Sequence, residues 1–197
     1  MGLSKTDHPD IVKLQCVFDR RPEEIKDRDS HRKCEANGPD GDEKTYMVYE
    51  LIEGRSLGKH LEYLRDEKKM RLPKGQFLKW ALTMAKACRY IHEECFIMHT
   101  DLHVFNWLLR GNGDIVMADF GCAKNLGGPD GVMPIGKDQY YYEGHSSPEM
   151  QPDEEHRTAK EFTFVGDTWQ LGFAFNCMIN ENHWGGPTPT IYGEDVE

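Results

Sequence analysis

Three oxygen-bearing side chains flank one predicted β-hairpin. Asp101 and Asn106 lie just before an apolar run at 107–109, and Asp119 lies just after a second apolar run at 115–117. The residues between the runs read Gly-Asn-Gly-Asp, and an Asn-Gly pair readily supplies the positive φ angles of a tight turn. Because the strands of a hairpin bring its two ends together, we expect the three side chains to converge.

Such a cluster suits phosphate chemistry at a metal. Mg²⁺ prefers hard oxygen ligands and keeps several waters, so Asn106 and Asp119 predict a magnesium site that phosphate oxygens would complete. A carboxylate beside it, that of Asp101, could accept a proton or orient a hydroxyl group. Placed metal ions and one group that aims the nucleophile are what phosphoryl transfer requires. Each residue taken singly could instead be a turn residue, since Asp and Asn favour turns.

The hydrophobic pattern predicts the elements that position this cluster. Strands are expected at Ile11–Phe18 and Tyr46–Ile52, with the charged stretch 19–44 as an exposed loop between them. A short amphipathic helix is expected around residues 57–64, where leucines recur at helical spacing. A longer helix packed in the core is expected from apolar residues at the same spacing, namely Phe77, Trp80, Ala81, Met84, Cys88 and Ile91.

The second half of the chain predicts a loop and then a helix. Residues 121–148 are rich in Gly and Pro and are expected to form loop. From Phe162 to Ile179 apolar residues fall on nearly every face, which is typical of a buried helix. The predicted fold class is therefore α+β and mostly helical.

Composition excludes several classes of protein. The net charge of −10 over 197 residues argues against a general nucleic-acid or membrane surface, and no run of 18 apolar residues occurs. The six cysteines form no Cys-x-x-Cys pair, so free thiols in a reducing compartment are expected. A cytoplasmic location is the default expectation.

The spacing around the hairpin resembles that of protein kinases. His-x-Asp-x-x-x-x-Asn over residues 99–106, followed by Asp-Phe-Gly at 119–121, is similar to the catalytic loop and metal-binding motif of that family. Four further segments resemble family motifs in the correct order: His8–Leu14, Tyr46–Glu50, Ser146–Glu149 and Asp167–Gly172. The resemblance implies a protein-kinase-like fold, with a mostly helical large lobe at 53–180, a small-lobe remnant and hinge strand at 1–52, and an irregular tail at 181–197.

The same resemblance implies an ATP-dependent enzyme that phosphorylates protein Ser or Thr hydroxyls, with ATP, Mg²⁺ and a protein substrate as its partners. Neither nucleic acid nor membrane is expected, and the oligomeric state stays open. By resemblance Asp101 is the catalytic carboxylate, Asn106 and Asp119 hold Mg²⁺, and Asp167 braces the catalytic loop. The remaining cofactor contacts implied are the backbone of Glu50 and Ile52 at the adenine edge, Tyr49 as gatekeeper, Leu108 beneath the adenine and Ser56 at the ribose. His99 is expected to be a packed core histidine that stacks on Phe120.

Several positions depart from the family pattern. Thr100 replaces the arginine before the catalytic Asp, which predicts little switching by phosphorylation of the activation segment. His103 stands where a lysine is expected, two residues after Asp101, and together with Asp101 and Asn106 it is a predicted catalytic residue. Neither a Gly-x-Gly-x-x-Gly motif nor a Val-Ala-x-Lys strand occurs, so we expect a domain truncated at both ends that binds Mg-ATP weakly and transfers little phosphate as an isolated chain.

Two alternatives remain open. One is a pseudokinase-like binding module that uses the large lobe as a docking surface. The other is a small-molecule kinase of the aminoglycoside or choline type, a group that often shares the Asp-Leu-His spelling found at 101–103. The Asp-Phe-Gly and Ser-Pro-Glu motifs of this chain argue against the second alternative.

Overall fold

The computed structural model describes residues 7–20, 44–134, 146–148 and 161–180. Within these ranges the helices are α1 (Leu57–Tyr63), α2 (Lys74–Glu93) and α3 (Phe164–Asn180), with a π-helical turn at Leu64–Lys68 and a 3₁₀ turn at Val104–Asn106. Short strands pair antiparallel two by two: β1 (Leu14–Arg20) with β2 (Lys44–Tyr49), β3 (Ile97–Met98) with β6 (Lys124–Asn125), β4 (Trp107–Leu109) with β5 (Ile115–Met117), and β7 (Met133–Pro134) with β8 (Glu161–Phe162). The predicted α+β class, mostly helical, is confirmed.

One hydrophobic core joins the helices to the β4–β5 hairpin. The predicted stripe on α2 is confirmed, since Trp80, Met84 and Ile91 are buried there. They share a cluster with Trp107 of β4 and Met178 of α3, both nearly inaccessible to solvent. The hairpin that carries the polar cluster is therefore fixed to the two longest helices.

Helix α1 begins at a capping serine. The Ser56 hydroxyl accepts a hydrogen bond from Lys59 N at 3.3 Å, which satisfies one of the free N–H groups at the helix start. Leu57 and Leu61 are buried, as the leucine spacing predicts, whereas Leu64 begins the π-helical turn and is half-buried. Lys69 ends that turn in the left-handed conformation, with φ of 52°.

The two strands of the small sheet, β1 and β2, differ from their predicted bounds. The first strand begins at Leu14 rather than Ile11, because Ile11 and Val12 turn into the core, where Val12 N donates to Met117 O at 2.9 Å. The second strand ends at Tyr49, since the chain then crosses towards α1. The predicted loop at 19–44 is wrong at both ends, because residues 19–20 pair with residues 44–45 through backbone bonds that need no apolar side chains.

Two further predictions are corrected. The expected loop at 121–148 contains strands β6 and β7, whose partners β3 and β8 lie far away in sequence. Helix α3 begins at Phe164, because Phe162 belongs to β8. It is also not buried on every side, since Val165, Trp169 and Ile179 are each at least 45% exposed.

Some expectations lie outside the described residues. These are most of the predicted charged loop (21–43), residues 135–145 of the loop predicted at 121–148, Glu149 and the tail (181–197). The described cysteines, Cys16, Cys88, Cys95, Cys122 and Cys177, are free thiols. None of the helices in the described part of the chain combines the length and apolar content needed to cross a bilayer.

Candidate active site

The hairpin brings the ends that carry the polar cluster together. The Asn106 side-chain amide donates to the backbone oxygen of Asp101 and to its carboxylate Oδ2, both at 2.9 Å. Ala118 N donates to Asn106 O at 2.8 Å, which holds the residue before Asp119 against the same loop. Since the amide nitrogen of Asn106 is engaged by Asp101, its Oδ1 atom is the one suited to a cation. Asn106 and Asp119 thus offer the hard oxygen atoms that Mg²⁺ requires.

Asp119 adopts an uncommon backbone conformation at this site. Its φ is 58°, in the left-handed region that Asp tolerates better than most residues, and its Oδ1 accepts Gly121 N at 3.2 Å. The residue is exposed, whereas the next one, Phe120, is buried. The Asp119 carboxylate also reaches the predicted gatekeeper electrostatically: burial, and then this negative charge, raises the pKa of the Tyr49 phenol.

His99 is a core histidine, as predicted. It is fully buried, its ring centroid lies 4.8 Å from that of Phe120, and its Nε2 lies 3.0 Å from Ala118 O. A carbonyl oxygen only accepts, so Nε2 carries the proton. Burial lowers the pKa of His99, which keeps the ring neutral and apolar enough to stack.

Helix α3 braces the predicted catalytic loop, residues 99–106, with two side chains. The buried Asp167 carboxylate accepts His99 N at 2.7 Å and Thr100 N at 2.8 Å. Gln170, one turn later, accepts Leu102 N at 2.8 Å through Oε1 and donates to Thr100 O at 2.7 Å through Nε2. The bracing role implied for Asp167 is therefore seen in the structure. Gln170 was missed, although a polar residue three positions from Asp167 on an otherwise apolar helix was a usable signal.

His103 contacts the carboxylate of Asp101. Its Nδ1 accepts Phe105 N at 3.1 Å, so in the neutral ring the proton sits on Nε2. That Nε2 lies 3.4 Å from Asp101 Oδ2, and both side chains are less than a fifth exposed. The residue at the expected lysine position thus places a ring nitrogen 3.4 Å from the carboxylate.

Three of the predicted adenine contacts border the core. Tyr49, Ile52 and Leu108 are half-buried and pack against the core cluster, while the strand neighbours of Leu108 are buried. Glu50 N donates to Lys13 O at 2.9 Å, so the carbonyl of Glu50, rather than its N–H, is the group suited to adenine. Ser56, predicted at the ribose, pairs with Leu108 in an isolated bridge.

The contacts of three residues that hold the segment after β2 in place were not predicted from the sequence. Arg110 donates to both carboxylate oxygens of Glu50, at 2.8 and 3.1 Å, and Lys13 N donates to the same carboxylate at 3.0 Å. The hydrogen bond from Arg110 is the main reason that the pKa of Glu50 is lowered. Gly54 passes so close to Leu109 that an added Cβ would lie 1.8 Å from its carbonyl oxygen. Of these contacts, only the one at Gly54 could have been suspected from the sequence, since a glycine often marks a close approach between backbone segments.

Comparison with known proteins gives one consistent result. The family model of the protein kinase domain matches residues 2–188. Serine/threonine-protein kinase CHK1 of Saccharomyces cerevisiae is 26% identical over 99% of this chain and 34% of its own length. Probable serine/threonine-protein kinase MARK-C of Dictyostelium discoideum is 34% identical over 61% of this chain and 12% of its own length. Serine/threonine-protein kinase Nek4 of Mus musculus is 30% identical over 73% of this chain and 16% of its own length. The chain thus spans about a third or less of the length of these curated relatives. With the family model covering nearly all of it, the chain belongs to the protein kinase family.

Proposed function

We propose that this chain is the phosphate-transferring part of a protein kinase that uses Mg-ATP and modifies Ser or Thr hydroxyls. The observation that carries the proposal is the pair of hydrogen bonds from Asn106 to Asp101, with Asp119 held next to them through Ala118. Phosphoryl transfer needs little covalent chemistry from the protein and depends on placed charges and an oriented nucleophile. The printed names of the relatives support the Ser/Thr class.

Each side chain of the cluster has a proposed task. Asp101 orients the substrate hydroxyl and accepts its proton, and His103 keeps that carboxylate in place through Nε2–H. Asn106, through Oδ1, and Asp119 hold Mg²⁺. When bound, the ion neutralises phosphate charge.

The nucleotide is proposed to lie against the core between the small sheet and the hairpin. The adenine edge meets the carbonyl of Glu50 and the N–H of Ile52, with Tyr49 and Leu108 against its faces. Ser56 lies beside the ribose and keeps its capping bond to Lys59 N. These contacts fit a domain division in which 1–52 supplies the hinge side and 53–180 the large lobe.

The test separates nucleotide binding from transfer. Mg-ATP is expected to raise the melting temperature of the chain and of Asp101→Asn, but not of Asp119→Asn, which loses a metal ligand. Transfer from labelled ATP to a Ser-containing protein is expected to be slow, because the sequence carries neither a Gly-x-Gly-x-x-Gly motif nor a Val-Ala-x-Lys strand. Asp101→Asn is expected to reduce that rate at least about tenfold, because it removes the proposed proton acceptor.

Asp114→Asn is the matched control, since Asp114 lies in the exposed hairpin turn and pairs with Lys79. It should bind Mg-ATP and transfer phosphate like the unchanged chain. Failure of Mg-ATP to stabilise the chain would overturn the nucleotide site. Transfer that survives Asp101→Asn, or that reaches only hydroxylated amines and no protein, would overturn the assigned chemistry.

A further inference from the structure

A cluster of three metal-ligating side chains lies at the contact between α2 and α3, behind the catalytic loop. Cys88 and His92 lie four residues apart on one face of α2, and Asp167 faces them from α3. One ligand atom from each falls within 4.8 Å of the other two. Cys88 and Asp167 are buried, and the His92 side chain is 13% exposed.

The distances resemble those of a metal's first coordination sphere. Cys88 Sγ lies 3.6 Å from His92 Nε2, and that nitrogen lies 2.8 Å from Asp167 Oδ2. Tetrahedral zinc with ordinary bond lengths places S and N about 3.5 Å apart and N and O about 3.3 Å apart. The sulfur and the nitrogen are already at the required separation, whereas the nitrogen and the carboxylate oxygen are about 0.5 Å closer together than they would be on the metal.

One neighbouring ring and two backbone N–H groups hold two of the ligands in place. The Phe164 ring centroid lies 4.6 Å from that of His92, which limits rotation of the imidazole. Asp167 is held by the N–H groups of His99 and Thr100. Such outer contacts orient ligands and strengthen metal sites.

We propose that Cys88, His92 and Asp167 form a binding site for a zinc-like divalent cation. A thiolate, an imidazole and a carboxylate together suit Zn²⁺ better than Mg²⁺ or Ca²⁺, which prefer oxygen alone. A water entering on the exposed side of His92 completes four-fold coordination.

Metal binding at this site requires that two protons move, one from Cys88 and one on the His92 ring. Burial, and secondarily the charge of Asp167, raises the pKa of Cys88, so without metal the sulfur is a thiol. Binding forms the S–metal bond and releases the thiol proton to solvent. The proton between His92 Nε2 and Asp167 moves to Nδ1, which frees Nε2 as a ligand.

The cation would share its carboxylate with the loop that leads to Asp101. Asp167 Oδ2 also accepts a hydrogen bond from His99 N. An ion on this oxygen would therefore be linked to the backbone of the proposed catalytic loop through one metal–oxygen bond and one hydrogen bond. The inference concerns metal binding alone and stands whether or not the chain transfers phosphate.

The experiment uses the full chain, reduced and stripped of metal, titrated with Co²⁺ and then Zn²⁺. One equivalent of Co²⁺ should produce a thiolate-to-cobalt charge-transfer band, which Zn²⁺ should abolish by displacement. Cys88→Ser should remove the band and weaken Zn²⁺ binding at least about tenfold, the lower end of losses seen for outer-shell partners. Cys88→Ala should do the same, which keeps the test available if the serine variant misfolds.

Two cysteine controls test thiols outside the cluster. Cys177→Ser changes a buried thiol on α3 that is not part of the cluster, and Cys34→Ser removes a thiol three residues after His31 in sequence. Both should keep the band and the affinity. A chain without a charge-transfer band, a band that survives both Cys88 substitutions, or a band lost in Cys34→Ser would each overturn the proposed site.

Discussion

Asp167→Asn tests whether the bracing carboxylate stabilises the fold as its contacts imply. The native side chain has no solvent exposure and accepts three hydrogen bonds, from His99 N, Thr100 N and His92 Nε2, at 2.7 to 2.8 Å. Asparagine has almost the same shape, but one of its two terminal atoms is a donor. That amide nitrogen must therefore face at least one N–H group that now has no acceptor.

The magnitude follows from these contacts. Hydrogen bonds to a charged group contribute about 1.5–3 kcal/mol each, and a buried donor left without a partner costs about 1–3 kcal/mol. If the Asn oxygen retains one backbone bond of neutral strength, the free energy of unfolding should fall by about 2–4 kcal/mol. With a urea m-value of about 2 kcal/mol/M, the unfolding midpoint should fall by about 1–2 M.

The assay is urea unfolding followed by tryptophan fluorescence, since Trp80 and Trp107 are buried in the core that unfolding exposes. Asp114→Asn removes the same charge from a residue whose salt-bridge partner, Lys79, is half-exposed. That control should stay within about 0.5 kcal/mol of the unchanged chain. An Asp167→Asn midpoint equal to that of Asp114→Asn would refute the reasoning.

Two further predictions concern the segment between the small sheet and α1. Gly54→Ala places a Cβ 1.8 Å from Leu109 O, so calorimetry should show a lower melting temperature and a free energy of unfolding reduced by about 1–3 kcal/mol. The control Gly111→Ala, with no atom within 4 Å of the added Cβ, should be nearly neutral. Equal losses in the two variants would contradict the clash. Glu50 has a lowered pKa through Arg110, so its contribution to stability is present above the unfolded-state pKa near 4.5 and is lost as pH falls through the lower folded pKa. Acid titration of unfolding should therefore be steeper below pH 4.5 for the unchanged chain than for Glu50→Gln, and identical slopes would contradict the pairing.

The sequence was sufficient where the determining contacts are local. The hairpin turn at 111–114 and its flanking apolar runs lie within about a dozen residues, so strand pairing alone joins Asn106 to the segment before Asp119. Helix α2 could also be predicted from the sequence, because its buried apolar residues recur at helical spacing over about five turns. His99 as a core histidine followed from the motif around it and matches its full burial.

The tertiary structure decided what depends on distant pairs. Gln170 reaches Leu102 across 68 positions, and Arg110 reaches Glu50 across 60. The partners of β6 and β7 are likewise distant in sequence, which is why the composition of residues 121–148 predicted only loop.

The physical reason is that periodicity and turn chemistry record only a residue's own element. A buried carboxylate such as Asp167 marks itself as polar on an apolar helix, but the donors that satisfy it are fixed only when α3 packs behind the catalytic loop. The sequence therefore determined the family and the residue types of the site. Packing determined which neighbours hold each of those residues in place.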